Sequence, residues 1–397
     1  MSNSFEHLLS KRALGMRKNV IREILKVVSQ PGMVSLAGGI PAPETFPIED
    51  LYRINETVLD RYGAAALQYD LTEGFAPFRE ALAGYLANKS ISADAESLLV
   101  FNGSQSVLDT LGKILITPGD IIALESPSYL GAISAFSSYS PDYVSIETDD
   151  DGIVPQSLER ALDQQPVKFL YLVTTFQNPT GRTLSAERRK EVAEIIKTRN
   201  ALVIEDDPYG DLRFRGQPAP ALQTFAPENV VYVSTLSKIF APGLRLGFCV
   251  APPLIREWLY RAKQGADLHS NTYAQALATE YICGGFIERQ VPKIIELYRP
   301  RQEAMLAALE SHLPRDYRWT KPEGGMFIWV EGPPGVDAEQ IYWRAVERKV
   351  AFVPGKYFYI EPDDGLPTMR LNFTRVDEAT IEAAIATLGR VIRHNGG

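Results

Sequence analysis

The chain has 397 residues, of which 45% are hydrophobic, and a formal net charge of −8 at pH 7. This length predicts a large core divided between two domains, and the acidic balance without a long basic run argues against general nucleic-acid binding. The two cysteines, Cys249 and Cys283, imply neither a disulfide framework nor a thiolate metal site and favour a reducing, cytoplasmic environment. Charged residues near the N-terminus argue against a signal peptide, and no segment is long enough to predict a membrane span.

The first half of the chain predicts alternating strands and helices. An amphipathic helix is predicted over residues 19–30, followed by an extended, Gly- and Pro-containing segment over 31–47. The runs that then predict strands are residues 98–101, 121–124, 143–146, 169–173, 201–204 and 230–233. Strands that alternate with helical stretches indicate a mainly parallel sheet covered on both faces, and such sheets bind ligands beyond the carboxyl ends of their strands.

The last third of the chain mixes its elements differently. The predicted elements are a helix over 286–311, strands over 317–319 and 326–330, a helix over 338–347, a strand over 369–373 and a terminal helix from Asp377. This order indicates an α+β domain, which we expect to close over the same cleft together with the N-terminal segment. The predicted divisions are an arm over 1–47, a large domain over 48–285 and a small domain over 286–397.

A lysine surrounded by phosphate-binding residue types follows the predicted strand 230–233. Lys238 ends the run STLSK, and Arg245 follows in PGLRLG. An amine beside hydroxyl and guanidinium groups suits a phosphorylated aldehyde, because the amine forms a Schiff base while the other groups hold the phosphate. Pyridoxal 5'-phosphate (PLP) is such a compound. Taken alone, the run also fits a surface loop with an ordinary lysine.

Other predicted strands also end in polar residues. Ser104 opens a helix whose N-terminus either binds an anion or is capped by Ser104, and the two roles are compatible. Tyr129 either stacks on a flat heterocycle or packs as an ordinary core residue. Asn178 lies in the turn QNPTG, and the turn alone is a sufficient explanation for it.

Three acids follow the predicted strand 201–204. A carboxylate at the end of a buried strand needs a cation or hydrogen-bond donors, so a bound positive charge is predicted here. A protonated pyridine nitrogen supplies one, and a carboxylate facing it makes the ring an electron sink. We expect Asp206 to take this role, Glu205 to face outward and Asp207 to cap the turn before Pro208.

These motifs, in their order from about residue 20 to the C-terminus, resemble the class I/II aminotransferases of PLP fold type I. They are most similar to the 2-aminoadipate and kynurenine aminotransferase group. The resemblance implies an α/β fold, in which a large domain with a mainly parallel seven-stranded sheet is joined to a smaller α+β domain. It identifies Lys238 as the Schiff-base lysine and Asp206 as the partner of the pyridine nitrogen.

The resemblance also implies how the rest of the cofactor is held. Tyr129 stacks on the ring, and Asn178 and Tyr209 hydrogen-bond to its phenolic oxygen. Thr235 stands where the family often has Ser, and either hydroxyl can donate a hydrogen bond. The residues implied to hold the phosphate are Ser104, Gln105, Thr235, Ser237 and Arg245.

Substrate and subunit contacts are implied in the same way. Arg370 matches the arginine that clamps the substrate α-carboxylate, and Gly39 lies in the segment whose backbone runs close against the substrate. Arg22 matches a residue that meets a distal carboxylate; the alternative is a solvated charge on a helix. Tyr69 matches a residue that reaches the phosphate of the neighbouring subunit, which implies a homodimer with shared sites.

The implied activity is a ping-pong amino transfer with Lys238 as general base. The expected donors are 2-aminoadipate, glutamate, aromatic or branched-chain L-amino acids, and the expected acceptor is a 2-oxo acid such as 2-oxoglutarate. No metal, nucleic-acid or membrane partner is expected. One alternative on the same fold is a cysteine-conjugate β-lyase. A PLP-binding transcription regulator is a second alternative, disfavoured because the large domain begins too early to follow a DNA-binding module.

Overall fold

A computed structural model describes residues 5–16, 24, 28 and 30–394. Its strands are β1 (Val34–Ser35), β2 (Leu98–Phe101), β3 (Ile121–Glu125), β4 (Asp142–Ile146), β5 (Thr148–Asp149), β6 (Gly152–Ile153), β7 (Val167–Leu172), β8 (Val203–Asp206), β9 (Val230–Thr235), β10 (Gly247–Val250), β11 (Arg318–Trp319), β12 (Phe327–Glu331), β13 (Val350–Ala351), β14 (Val353–Pro354) and β15 (Thr368–Asn372). Its helices are α1 (Lys11–Gly15), α2 (Ile48–Tyr62), α3 (Ala76–Ala87), α4 (Ser104–Leu115), α5 (Leu130–Ser137), α6 (Pro155–Gln164), α7 (Ala186–Arg199), α8 (Leu222–Phe225), α9 (Pro253–Gln264), α10 (Thr272–Cys283), α11 (Phe286–His312), α12 (Ala338–Glu347) and α13 (Glu378–Arg393). Among the described helices, none combines the length and apolar character needed to cross a bilayer.

The large sheet has seven strands in the order β2-β10-β9-β8-β7-β3-β4. β10 runs antiparallel to both of its neighbours, and the other strands run parallel to one another. The predicted fold class, with its mainly parallel seven-stranded sheet, is confirmed. β10 is missing from the predicted strands because no α-helix separates it from β9, so it breaks the alternation that identifies the others.

The large sheet is buried on both faces. In β7, Phe169 and Tyr171 belong to one apolar cluster, whereas Leu170 and Leu172 belong to a second cluster together with Val192 of α7. Alternate side chains therefore enter opposite cores, which is why the strands read as nearly continuous apolar runs. Because the parallel strands end at one edge, the polar loops that follow them meet there.

A smaller antiparallel sheet of order β11-β12-β15-β14 lies in the last third of the chain, where α11 packs against α13. The extended N-terminal segment joins this region, since β1 pairs with β13 and the N–H of Asn372 donates to the Leu36 carbonyl at 2.7 Å. This pairing places the segment after Leu36 beside β15, which carries Arg370. The helix predicted over 19–30 lies outside the described residues, apart from positions 24, 28 and 30.

Candidate active site

The two acids at the end of β8 face opposite sides of the sheet, because strand side chains alternate. Glu205 is fully buried and accepts hydrogen bonds from the Thr174 hydroxyl and from the N–H groups of Leu222 and Gln223, each at 2.8 Å. The expectation that Glu205 faces outward is therefore wrong, since its carboxylate is satisfied inside the protein at the start of α8. Asp206 is left on the side of the sheet that holds the cavity.

Asp206 is a buried carboxyl group with one free oxygen. Only 2% of the residue is exposed, and its Oδ2 accepts a 2.8 Å hydrogen bond from the Tyr171 hydroxyl. Its Oδ1 has no hydrogen-bond partner within the described part of the chain. Burial raises the pKa of Asp206 to about 7, against the opposing effect of the Tyr171 hydrogen bond. Buried polar atoms are normally paired, and the protonated ring nitrogen of PLP fits this one, because it brings both a donor and a positive charge.

Lys238 lines a cavity of about 240 Å³ beyond the end of β9. Its Nζ donates to the Gly39 carbonyl at 3.1 Å. Burial lowers the pKa of Lys238 to about 8, and the positive charges of Arg370 and Arg245 lower it further. The predicted site residues that this cavity brings together are Ser104, Gln105, Tyr129, Asn178, Asp206, Tyr209, Thr235, Ser237, Lys238 and Arg245.

The start of α4 and Arg245 form a pocket suited to an anion. Gly103, with a φ of +86°, occupies the cap position, and no side chain caps the helix. Ser104 is the first helical residue, so the expectation that it caps α4 is wrong by one position. A Cβ on Gly103 would lie 2.3 Å from Arg245 Nη2, which therefore packs directly on this turn. Free N–H groups, the helix dipole and the guanidinium all favour a bound phosphate.

The hydroxyls of Thr235 and Ser237 lie 2.8 Å apart beside this pocket. Thr235 donates its single hydroxyl proton to the Leu246 carbonyl at 2.6 Å. Ser237 is therefore the donor between the two hydroxyls, because each carries only one proton. Rotation of the Ser237 O–H redirects that proton to a bound anion, whereas Thr235 mainly stabilises the turn.

Gln105 anchors the segment that carries Tyr129. Its Nε2 donates to the Gly131 carbonyl at 2.7 Å. A Cβ on Gly131 would lie 2.3 Å from Tyr129 Cζ, so the glycine leaves room for the ring. Burial raises the pKa of Tyr129 to about 12, which keeps its hydroxyl uncharged. An uncharged aromatic ring fixed in the cavity wall suits stacking on a flat heterocycle.

Arg370, on β15, presents a fixed and desolvated guanidinium. The residue is 2% exposed, and its Nη1 and Nη2 donate to Asn178 Oδ1 and to the Ala37 carbonyl, both at 2.7 Å. Its Cζ lies 4.3 Å from the Phe327 ring centroid and 5.0 Å from that of Phe358. Burial lowers the pKa of Arg370 to about 10, so the group stays charged at neutral pH. A charged fork between two aromatic rings suits a planar carboxylate.

Asn178 connects this guanidinium to the rest of the cavity. Its Nδ2 lies 3.3 Å from the Tyr209 hydroxyl, which accepts the hydrogen bond. Gly39 faces the same region, because a Cβ there would lie 3.0 Å from Phe327 Cζ. A bulkier residue would press against that ring. The Gly39 carbonyl accepts the hydrogen bond from Lys238 Nζ, which places this backbone beside a residue of the cavity wall.

Of the predicted residues that the structure describes, three do not line this cavity, and two of them, Arg370 and Gly39, are hydrogen-bonded to its lining residues Asn178 and Lys238. Tyr69 is 79% exposed, and its ring lies edge-on to His269, with centroids 5.7 Å apart, in a pocket separate from that of Lys238. Arg22 lies outside the described residues.

The sequence analysis missed three aromatic contacts of the site. Tyr171, which donates to Asp206, had a usable signal: a tyrosine inside a buried strand needs a partner for its hydroxyl, and the next strand ends in acids. Phe327 and Phe358, which lie close to Arg370, carry no comparable signal, because an apolar residue in a strand or in a short 3₁₀ turn is typical of ordinary core.

Several known proteins are similar to this chain over almost its whole length. The family model described as Aminotransferase class I and II matches residues 55–388. The chain is 43% identical over 396 residues to Aromatic-amino-acid aminotransferase 1 of Thermococcus litoralis, covering 98% of this chain and 95% of that protein. It is 39% identical over 394 residues to the 2-aminoadipate transaminase of Thermus thermophilus, covering 98% of each. The crystal structure of Pyrococcus horikoshii kynurenine aminotransferase in complex with PMP superposes with a TM-score of 0.95 at 42% identity, covering 99% of this chain and 98% of that one.

Proposed function

Because the chain belongs to the class I and II aminotransferases, and is thus a PLP-dependent transaminase, we propose that it takes 2-aminoadipate, glutamate, and aromatic or branched-chain amino acids as donors, with 2-oxoglutarate as one acceptor. The names of its relatives support this range, since they include an aromatic-amino-acid, a 2-aminoadipate and a kynurenine aminotransferase. The observation that carries the proposal is that Lys238, Asp206 and Arg245 line one cavity. Arg370 adjoins this cavity, because it donates a hydrogen bond to the lining residue Asn178.

PLP, when bound, supplies an aldehyde that takes up the substrate amine and a ring that withdraws electrons from the substrate Cα. Asp206 would use its free Oδ1 to hold a proton on the ring nitrogen, and Tyr129 would stack on the ring. Asn178 and Tyr209 would hydrogen-bond to the phenolic oxygen. The phosphate would be held by the start of α4 at Ser104 and Gln105, by Arg245 and by the Ser237 hydroxyl. Thr235 would support Ser237 and not donate to the phosphate, because its own proton goes to the Leu246 carbonyl.

Lys238 is the nucleophile that anchors the cofactor and the base that takes the proton from the substrate Cα. Both roles need a neutral amine, and the pKa of about 8 leaves part of the Nζ unprotonated near neutral pH. Its contact with the Gly39 carbonyl keeps the amine beside the segment that faces the substrate.

Arg370 orients the substrate by binding its α-carboxylate. The two carbonyl-type acceptors fix the guanidinium plane, and the Phe327 and Phe358 rings exclude water from its faces. A bidentate contact then fixes the direction of the Cα–H bond relative to Lys238.

Arg22 is proposed to bind the distal carboxylate of acidic donors. Arg22→Ala should lower kcat/KM for 2-aminoadipate and glutamate more than for leucine. If Arg22→Ala has the same kcat/KM as the wild type for the acidic donors as well as for leucine, this assignment is refuted.

The enzyme is proposed to work as a cytoplasmic homodimer in which the partner's Tyr69 reaches the phosphate. Supporting this, Leu67, Tyr69 and Leu71 are 70%, 79% and 56% exposed on one short segment, an unusual run of bare apolar surface for a lone chain. Sedimentation equilibrium should give twice the chain mass, and a fully active monomer would contradict the proposal.

The amino-transfer proposal is tested by mixing the PLP-loaded protein with single amino acids and following the visible absorbance of the cofactor by stopped flow. Good donors should bleach it rapidly and leave a 2-oxo acid, and Lys238→Ala should lose the lysine-bound absorbance while remaining folded. Release of pyruvate and ammonia from cysteine conjugates without an acceptor would favour the lyase instead.

A further inference from the structure

Two neighbouring strands bring a tyrosine to the carboxylate of the site. Tyr171 on β7 pairs with Ile204 on β8, so Tyr171 and Asp206 lie diagonally on the same face of the sheet. Aromatic side chains are long enough to span such a diagonal, and the Tyr171 hydroxyl donates to Asp206 Oδ2 at 2.8 Å. The contact is therefore set by the register of the two central strands.

Tyr171 acts on Asp206 from outside the cavity. It is fully buried, and its ring packs edge-on against Phe136 with centroids 5.8 Å apart, whereas Asp206 lines the cavity. Burial, together with the negative charge of Asp206, raises the pKa of Tyr171 well above its ordinary value. The hydroxyl therefore keeps its proton and remains a donor to the carboxylate at any working pH.

The hydrogen bond makes the two oxygens of Asp206 unequal. Oδ2 is held by Tyr171, and Oδ1 has no partner among the residues that the structure describes. A hydrogen bond donated to a carboxylate favours its ionised form and fixes its rotation. We propose that Tyr171 is a positioning residue that keeps Asp206 ionised and turned so that Oδ1 receives the protonated ring nitrogen of PLP. This inference rests on the proposed role of Asp206.

The adjacent strand offers a matched control. Tyr232 on β9 is also fully buried, and its hydroxyl donates to Asp207 Oδ2 at 2.9 Å. Tyr232→Phe therefore removes the same kind of bond, between the same residue types and in the same sheet, but from a carboxylate that is not assigned to the ring nitrogen.

The test compares PLP with its 1-deaza analogue, in which carbon replaces the ring nitrogen. Dissociation constants for both compounds are measured on the full-length protein after cofactor removal, for the wild type, Tyr171→Phe, Tyr232→Phe and Asp206→Asn. Loss of a hydrogen bond to a charged group predicts that Tyr171→Phe binds PLP about 10-fold more weakly or worse. Its affinity for the deaza analogue should stay at the wild-type value, and Tyr232→Phe should not discriminate between the two compounds.

The outcomes separate this inference from the site assignment on which it rests. If Tyr171→Phe weakens both compounds equally, or neither, while Asp206→Asn weakens PLP selectively, the role of Tyr171 is refuted and that of Asp206 stands. If Asp206→Asn also fails to discriminate, the assignment of Asp206 falls with it. Should Tyr171→Phe not fold, Tyr171→Met fills the space with a flexible side chain and allows the same comparison.

Discussion

A single methyl group at position 103 tests the anion pocket. Gly103 has φ +86° and ψ 161°, a conformation that is essentially restricted to glycine, so Gly103→Ala should destabilise the fold by about 1–3 kcal/mol. The added Cβ would also lie 2.3 Å from Arg245 Nη2, far inside contact distance, so the guanidinium must move. Loss of one charge-assisted contact, about 1.5–3 kcal/mol, predicts PLP binding that is about 10- to 100-fold weaker.

Gly119→Ala is the control, because Gly119 has a φ of +88° but a Cβ there would have no atom within 4 Å. Each variant is freed of cofactor and titrated with PLP and with pyridoxal, which lacks the phosphate, and thermal unfolding is measured separately. Both variants should melt at lower temperature, but only Gly103→Ala should lose affinity, and only for PLP. Wild-type affinity for PLP in Gly103→Ala, or an equal loss for pyridoxal, would refute the assignment of this pocket to the phosphate.

Three further changes have defined outcomes. Arg370→Lys should lower kcat/KM for amino acids by about 10- to 100-fold without changing the affinity for PLP, because an ammonium cannot make the bidentate contact. An unchanged kcat/KM would contradict the proposal that Arg370 binds the substrate α-carboxylate. Burial raises the pKa of Asp206 from 3.8 to about 7, so its contribution to stability is lost progressively as the pH rises between those two values. Cofactor-free Asp206→Asn should therefore melt well above the wild type at pH 8 and close to it at pH 4. Burial raises the pKa of Glu125 from 4.5 to about 8, so its contribution to stability is lost as the pH rises between those two values. Glu125→Gln should therefore melt like the wild type at pH 4 and above it at pH 9; a lower melting temperature at pH 4 would show that the carboxyl group itself is needed.

The sequence alone predicted that several residues lie together in one cavity, because it predicts a mainly parallel sheet. Asn178, Asp206 and Lys238 each follow a different predicted strand, and the carboxyl ends of parallel strands share one edge. The three residues do line one cavity. Arg370 is different, because no periodic pattern in the sequence indicates that β15 lies beside Asn178. Its assignment to the site came only from the resemblance to the aminotransferase family. Membership of that family is confirmed, and the role of Arg370 stays a prediction.

Contacts that depend on strand register or on segments distant in the chain could not be predicted from local patterns in the sequence. The bond from Tyr171 to Asp206 requires knowing that Tyr171 pairs with Ile204, and a shift of one residue would turn Tyr171 to the other core. The prediction that Glu205 faces outward failed for a related reason, because its donors at Leu222 and Gln223 come from a short helix that the sequence does not indicate.

The charges of the site are balanced for a cofactor and a substrate that carry the opposite charges. Burial shifts all three central groups towards neutrality: it raises the pKa of Asp206 and lowers those of Lys238 and Arg370. Each shift of one pKa unit corresponds to about 1.4 kcal/mol that disfavours the charged form in the folded protein. A protonated ring nitrogen beside Asp206 and a substrate carboxylate beside Arg370 would each offset one of these unfavourable charges. Cofactor and substrate binding would therefore stabilise the fold through the same groups that are proposed to carry out the amino transfer, since a ligand that binds only the folded state raises its stability.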